Sequence, residues 1–573
     1  MIEPGLEVDL GVPHSVETNL EARMRDGIVL RGDLYRSAVD DARHPVLLQR
    51  TPYGKGEGRA PGAFIQKAMA RGYAVFIQDV RGRYASDGDF DPYRQEGRDG
   101  YDTVEWIAAQ PWSNGRVGTY GISYPGATQW LLAVEAPPHL GCIFPSMTFS
   151  SAREFFYFGG AFDMSWLPYL IQNIAPDIRR RLNLPVPPGA ADRAGRDALA
   201  KAALWHVPLN TVEALKDACP FYFEWLDHPD DGDYWEYANI EAMYHKVTVP
   251  AFNFSGWHDE GYGPNGAVRN FAGARAKGAT PAARAPRLMI GPWTHGGQTR
   301  SRFGERDFGP AAAIQYDELV LDWSDLHLRG VDNGQLSKQP PVRIFTMGTN
   351  RWRDADTWPI PKTRYQSWFL QTGGRLTTEA PPSAAEAPAT YTYDPNDPVV
   401  DPHGGQYAGV LGPFDQKDIG TRKDVLVYTS EPLTEDLEVT GNIEIRLWIS
   451  SSAPDTDFHV HVLDVEPDGR AWNLMSPTVA VIRARYRNDE HHPELMTPGR
   501  PYELTFRLPI TSNCFLQGHR IRAHVMSSFF PHLDRNPNTG RPVPAEGRLV
   551  PARQTVFHDS GRPSRLILPV VPA

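Results

Sequence analysis

Residues 118–127 read GTYGISYPGA, a single serine, Ser123, set among glycine, alanine and proline. An apolar run that patterns as a strand ends at Tyr120, and a helical pattern starts near Pro125. A strand that turns abruptly into a helix strains the backbone at the apex, and bulky neighbours would collide with both elements. The flanking residues must therefore be small, and the apical hydroxyl is left exposed above the sheet, as in a nucleophile elbow. The strict GxSxG form is broken here, because Pro125 takes the fifth position and the glycine is displaced to Gly126.

Working outward, VLLQR at 46, YAVFIQDV at 73 and RVGTYG at 116 alternate with helical patterns such as FIQKAMARG and GYDTVEWIAAQ. That order predicts parallel strands buried on both faces beneath crossover helices, an α/β arrangement. From about 150 to 245 the pattern becomes aromatic-rich and helical, as in REFFYFGGAFDMSWLPYLIQNI, and strands return at VPAFNFSG and RLMIG. Beyond 350, short alternating runs such as EVTGNIEIRLWISS, DFHVHVLDV and HRIRAHVMSS, punctuated by proline and glycine, predict an antiparallel sandwich or jelly roll. The Pro/Ala-rich 377–390 reads as a surface loop. The expected division is an α/β-hydrolase core over 1–148 and 246–352, interrupted by a helical cap over 149–245 and followed by a β jelly roll over 353–573.

The chain has 573 residues, 41% hydrophobic and 22% charged, a composition of folded globular proteins. Its formal charge of −11 is spread without a basic run, which argues against nucleic acid as a partner. Three cysteines, Cys142, Cys219 and Cys514, lie far apart and read as small buried apolar residues suited to a reducing compartment. The start MIEPGLEVDL lacks a basic, then apolar, export pattern, and no apolar stretch reaches the roughly 18 residues of a membrane span. A cytoplasmic location away from membranes is the expectation.

A serine hydroxyl needs a base to take its proton, and the base needs a carboxylate to fix its tautomer. In hydrolase order the acid follows the serine and the histidine comes last, each on a loop after a strand. PAFNFSGWHDEGYG delivers Asp259 as the acid, with Glu260 as a rival; RLMIGPWTHGG delivers His295 as the base, with His258 for comparison. Oxyanion donors are expected at the backbone N–H of Tyr124 and, from the loop in VLLQRTPYGKG, at the hydroxyl of Tyr53. His459 and His461 share a strand face but lack a third ligand, so no metal is expected. Asp79 and Arg81 in QDVRGRYASDG read as loop structure rather than chemistry. Phe155, Phe156, Tyr157, Phe158, Phe162 and Trp166 are candidates for an aromatic acyl pocket or for helix packing; Trp166, Trp257 and Phe162 are the substrate-binding candidates.

RTPYGK, YAVFIQDVRGRYASDGDF, DTVEWIAAQPWSNGRVGTYGISYPG, GWHDEG and GPWTHG, with DVLVYTSEPLTEDLEVTGNIEIRLWISSSAPDTDF, together resemble signature blocks of the cocaine esterase and X-Pro dipeptidyl-peptidase group of serine hydrolases, which includes the α-amino acid ester hydrolases. In that family the serine motif is G-x-S-Y-x-G, so the displaced Gly126 fits it. The resemblance implies Ser123 as nucleophile, Asp259 as acid, His295 as base, Tyr53 and Tyr124 as oxyanion donors, no cofactor, a small-molecule ester or amide substrate and a homodimer.

Two rival readings stand beside ester hydrolysis. An X-Pro dipeptidyl-peptidase or an α-amino acid ester hydrolase must hold a cationic amine with carboxylates, for which Glu154, Asp163, Glu260 and the run LDHPDDGDYWEY are candidates, although that run reads more simply as helix capping. An inert carbohydrate-binding or scaffolding protein is the alternative of another class.

Overall fold

Seven-residue FNFSGWH and six-residue AVFIQD are buried at every position, as strands covered on both faces require. The computed structural model describes residues 11–39, 42–56, 60–230, 232–259, 262–382, 386–404, 411–475 and 479–572. Ten strands form the main sheet: β1 (His14–Arg23), β2 (Val29–Ser37), β3 (His44–Thr51), β4 (Ala74–Asp79), β5 (Ser113–Ile122), β6 (Leu140–Ser146), β7 (Phe252–His258), β8 (Arg287–Thr294), β9 (Val342–Thr346) and β10 (Arg351–Ala355). Their order is β1-β2-β4-β3-β5-β6-β7-β8-β9-β10. From β4 to β9 neighbours run parallel, while β1, β2 and β10 pair antiparallel at the edges. Parallel neighbours need crossovers, supplied by α1 (Ala63–Ala70), α2 (Glu96–Ala108), α3 (Tyr124–Ala133), α4 (Tyr262–Lys277) and α5 (Tyr316–Ser324). All of β3, β5, β7 and β8 therefore end at one edge of the sheet, and the loops leaving them there carry Tyr53, Ser123, Asp259 and His295.

The segment between β6 and β7 is built from short helices, among them Trp166–Tyr169, Ala175–Leu182, Arg193–Trp205 and Pro220–Asp227. The long helical pattern over 153–174 is interrupted: Gly159 and Gly160, at φ of +50° and +88°, turn a small hairpin between Tyr157–Phe158 and Ala161–Phe162. Close approach requires glycine at both positions, since a Cβ on Gly159 would lie 2.0 Å from the Val481 carbonyl and one on Gly160 2.1 Å from the Tyr486 ring. Periodicity alone does not see a backbone that must approach another chain segment this closely.

From 364 to 570 the structure is β-rich and almost wholly antiparallel, around a core that includes Leu447, Ile449, Phe458, Val460, Leu504 and Leu568. It is tied to the main sheet through Met347, whose N–H donates to the Ser512 carbonyl and whose carbonyl accepts from Cys514. The loop reading of 377–390 lies partly outside the described residues. Cys142, Cys219 and Cys514 are free and buried, and no described helix is long and apolar enough to cross a membrane.

His459 and His461 do lie on one buried strand face, with His524 opposite His461 on the paired strand. No described cluster of His, Cys, Asp or Glu has the arrangement of a metal site. Both ring nitrogens of His459 and His524 lack a hydrogen-bond partner among the described residues. Burial first, and a nearby arginine second, push His524 down to about 3, so it stays neutral in the folded chain. Unfolded, the same ring protonates near pH 6.5. As pH falls below that value the unfolded chain takes up a proton that the folded chain refuses, costing about 1.4 kcal/mol per pH unit for one such group. His524→Leu is expected to lose stability less steeply than the parent between pH 6 and pH 4 in urea unfolding; identical slopes would contradict this.

Candidate active site

Strand β5 passes into α3 through a single residue, Ser123, held at φ +71°, ψ −126°. A non-glycine residue there is strained, and the surroundings enforce it. The Ser123 N–H donates to the Ser146 carbonyl at 3.0 Å, and its carbonyl accepts from Gly126 and Ala127 at 2.8 and 3.0 Å. A Cβ on Gly121 would lie 2.5 Å from Pro125, and one on Gly126 2.5 Å from the Ser146 carbonyl oxygen. The glycines around the serine are therefore steric necessities, and Ser123 itself stays partly exposed.

Tyr124 turns its side chain away from the elbow. Its hydroxyl donates to Glu96 at 2.8 Å and accepts from the Tyr93 N–H at 3.1 Å, while the Tyr93 ring stacks on it at 4.3 Å. Arg50 lies 2.8 Å from the Glu96 carboxyl, which burial pushes up from the ordinary glutamate range. Anchored at its far end, Tyr124 keeps its backbone N–H at the start of α3 beside Ser123.

Asp259, one residue past β7, is fully buried, and its Oδ1 lies 2.5 Å from His295 Nδ1, one residue past β8. The other oxygen accepts from Ser255 Oγ at 2.9 Å. Gly263 makes room for this carboxylate: a Cβ there would stand 1.9 Å from Oδ2. His295 is 26% exposed, and Gly296 beyond it donates its N–H to Met147 Sδ. His258 has a different environment, a fully buried ring whose nitrogens find no partner among the described residues and whose protonation is pushed down to about 3 by burial. Glu260 lies outside the described residues.

Tyr53, 41% exposed, stands on the loop after β3, with its N–H on Thr51 Oγ1 and its hydroxyl 3.2 Å from that of Tyr169 in the cap. A buried ionic cluster underlies the loop. Asp79 accepts from the Lys55 N–H at 2.8 Å and the Ala85 N–H at 3.2 Å, and the Lys55 ammonium lies 3.4 Å from Asp33 and 3.7 Å from Asp79. Burial raises Asp79 to about 6 against the opposing pull of Lys55. Arg81 pairs with Asp99 and Asp26. Asp79 and Arg81 thus do structural work in and beside the loops, as their sequence context suggests.

Aromatic rings run from the elbow into the cap: Tyr93 meets Phe155 at 5.8 Å, Phe155 meets Trp166 at 4.7 Å, and Trp166 meets Tyr169 at 5.4 Å. Trp166 is buried within this array, and its indole N–H has no partner among the described residues. Trp257 and Phe162 do not fit a substrate-lining role. The Trp257 indole donates to the Phe345 carbonyl at 2.6 Å inside the core of the main sheet. Phe162 is fully buried, and its backbone N–H donates to Asp534 at 2.9 Å where cap and β-rich region meet. Sequence reasoning missed Tyr93 and Tyr169; the spacing of Tyr169 three residues after Trp166, which puts both on one helix face, was the available signal.

Of the amine-binding candidates, Glu154 is paired with Arg269, and Asp163 accepts from the Ser165 N–H at 2.8 Å. Asp230, in the acidic run, accepts the Tyr486 hydroxyl at 2.6 Å. A cleft of about 540 Å³ lined by Ser151, Glu154, Arg269 and Arg507 opens between cap, α4 and β-rich region, and contains none of Ser123, Asp259 or His295.

Residues 26–297 match the X-Pro dipeptidyl-peptidase (S15 family) model, and residues 333–567 match the X-Pro dipeptidyl-peptidase C-terminal non-catalytic domain. Cocaine esterase from Rhodococcus sp. (strain MB1 Bresler) is 36% identical over 97% of this chain and 99% of its own length. An aminopeptidase from a marine sediment Thaumarchaeota archaeon superposes with a TM-score of 0.84 at 25% identity, covering 100% of this chain and 98% of its own. A selenomethionine-labelled α-amino acid ester hydrolase gives 0.82 at 25% identity, covering 99% and 98%. With its fold, both family matches and this near full-length likeness, the chain belongs to the cocaine esterase and X-Pro dipeptidyl-peptidase (S15) family of α/β-hydrolases.

Proposed function

We propose that the chain hydrolyses carboxylic esters by acyl transfer through Ser123. The observation that carries this reading is the 2.5 Å contact between the buried Asp259 carboxylate and His295, at the sheet edge where Ser123 is presented on a strained turn. Asp259 accepts the Nδ1 proton of His295 and so leaves Nε2 as the basic nitrogen. Nε2 takes the Ser123 proton as Oγ adds to the ester carbonyl. The oxyanion that forms is held by the Tyr124 N–H and the Tyr53 hydroxyl. When the C–O bond breaks, His295 gives its proton to the departing alkoxide. Water then adds to the acyl-enzyme by the same route and releases the acid and Ser123.

Trp166 and the aromatic array above the elbow suit a compact aromatic or alkyl acyl group. The engagement of Glu154 and Asp163 elsewhere favours an uncharged ester over an amine-bearing substrate, although the likeness to an aminopeptidase keeps X-Pro cleavage as a second reading. The same proposal places the core at 1–148 and 246–352, the cap at 149–245 and a jelly roll at 353–573. Cytoplasmic residence fits three free buried cysteines, and a homodimer rests on family resemblance alone.

Labelling with a fluorophosphonate probe is expected for the parent and lost in Ser123→Ala, with parallel loss of butyryl and benzoyl ester hydrolysis and little turnover of an X-Pro anilide by the parent. An unlabelled parent would favour the inert binding protein, and faster turnover of the anilide would favour the peptidase. Gly263→Ala, whose Cβ would stand 1.9 Å from Asp259 Oδ2, is expected to displace that carboxylate and lower ester turnover by about 100-fold, the scale of an ångström's misplacement in a catalytic group. Parent-like turnover would contradict the positioning role given to Asp259.

A further inference from the structure

Tyr53 and Tyr169 bring two hydroxyls to 3.2 Å across the boundary between core and cap, their rings edge-on at 6.4 Å. The contact is built in from both sides. Tyr169 ends the helix Trp166–Tyr169 and enters a π-helical turn, Leu170–Ile174, a local irregularity that re-aims side chains and recurs at functional sites. The Arg83 guanidinium, fully buried, donates to the Pro52 carbonyl at 2.9 Å, to the Ile174 carbonyl at 2.7 Å and to the Asn173 carbonyl at 3.1 Å. One side chain therefore clamps the residue before Tyr53 to the turn that follows Tyr169. Asp177, 3.6 Å from Arg83, offsets its charge, and the Trp166 ring packs edge-on against Tyr169 at 5.4 Å.

A phenol carries one proton. If Tyr53 donates it to Tyr169, that proton does not serve an oxyanion; if Tyr169 donates instead, Tyr53 acts as acceptor in this contact and its own proton can be directed at the reacting carbonyl. We propose that Tyr169 is a positioning residue for the acyl-transfer step, its hydroxyl donating to Tyr53 Oη so that the Tyr53 proton is directed into the oxyanion site. The inference rests on the reading of Tyr53 as an oxyanion donor and adds the cap to that machinery. Accepting a hydrogen bond polarises the Tyr53 hydroxyl and makes it a stronger donor. Burial, with Tyr53 and Tyr93 nearby, pushes Tyr169 well above the ordinary tyrosine range, so its proton is retained throughout the working pH range. Arg83 keeps the two segments in register by bonding backbone carbonyls beside each tyrosine.

The test is a double-mutant cycle on p-nitrophenyl butyrate, with each preparation normalised to its fluorophosphonate-reactive sites. Tyr169→Phe keeps the ring and is expected to lower kcat about 3- to 10-fold, the worth of one hydrogen bond, with KM unchanged. Tyr53→Phe is expected to lower kcat about 100- to 1,000-fold. The double variant is expected to match Tyr53→Phe alone, because Tyr169 then has nothing to direct. Parent-like kcat in Tyr169→Phe, or the same fold-loss in both backgrounds, would overturn the inference and reduce Tyr169 to packing, leaving Tyr53 as it stands. Parent-like kcat in Tyr53→Phe would overturn the oxyanion assignment itself and the inference with it.

Discussion

One backbone torsion organises this protein. Ser123 sits at φ +71° because β5 must become α3 across a single residue, and the cost, of order 1–3 kcal/mol for a strained position, is met by the packing that surrounds it. Gly121 and Gly126 have no room for a Cβ, and Ser146 on the neighbouring strand accepts the Ser123 N–H. The helix then starts with its first N–H groups beside the hydroxyl, where Tyr124 is held by Glu96 and Arg50 beneath. The other loops follow from strand order: in a parallel sheet every strand delivers its C-terminal loop to the same edge, so β3, β7 and β8 carry Tyr53, Asp259 and His295 to the sheet edge at which β5 presents Ser123.

Buried charged or polar groups support three of these loops. The Asp33–Lys55–Asp79 cluster lies under the Tyr53 loop, Arg50 and Glu96 under Tyr124, and Ser255 beneath Asp259. Such groups are costly to bury, and their value here is geometric, since each bonds a backbone or side-chain atom of a loop that carries a candidate catalytic group. Arg83 extends the same logic to the cap by binding carbonyls on both sides of the boundary.

Much of this was legible in the sequence, for identifiable reasons. Glycines at 121 and 126 report a collision that any structure with this turn would suffer, and runs that end in Gly-Trp-His-Asp or Gly-Pro-Trp-Thr-His report strands stopping at one edge. What stayed hidden was side-chain direction within fully buried strands. Every residue of β7 is buried, so no alternation of polar and apolar residues reveals which face Trp257 takes, and it turns into the core rather than toward the site. Phe162 was misread for a related reason: the hairpin at Gly159 and Gly160 is imposed by contact with residues some 320 positions later, which helical periodicity does not encode. The Tyr53–Tyr169 contact is likewise a product of tertiary packing, joining residues 116 apart.

The most direct test of the whole account is a crystal structure of the enzyme inactivated with an aryl phosphonate, whose tetrahedral phosphorus stands in for the acyl-transfer intermediate. Phosphorus is expected on Ser123 Oγ, with its phosphoryl oxygen about 2.7–3.1 Å from both Tyr53 Oη and the Tyr124 nitrogen and His295 Nε2 within hydrogen-bond reach of the Ser123 oxygen. Phosphorus on another residue, or a phosphoryl oxygen turned away from Tyr53 and Tyr124 with His295 remote from Ser123, would contradict it.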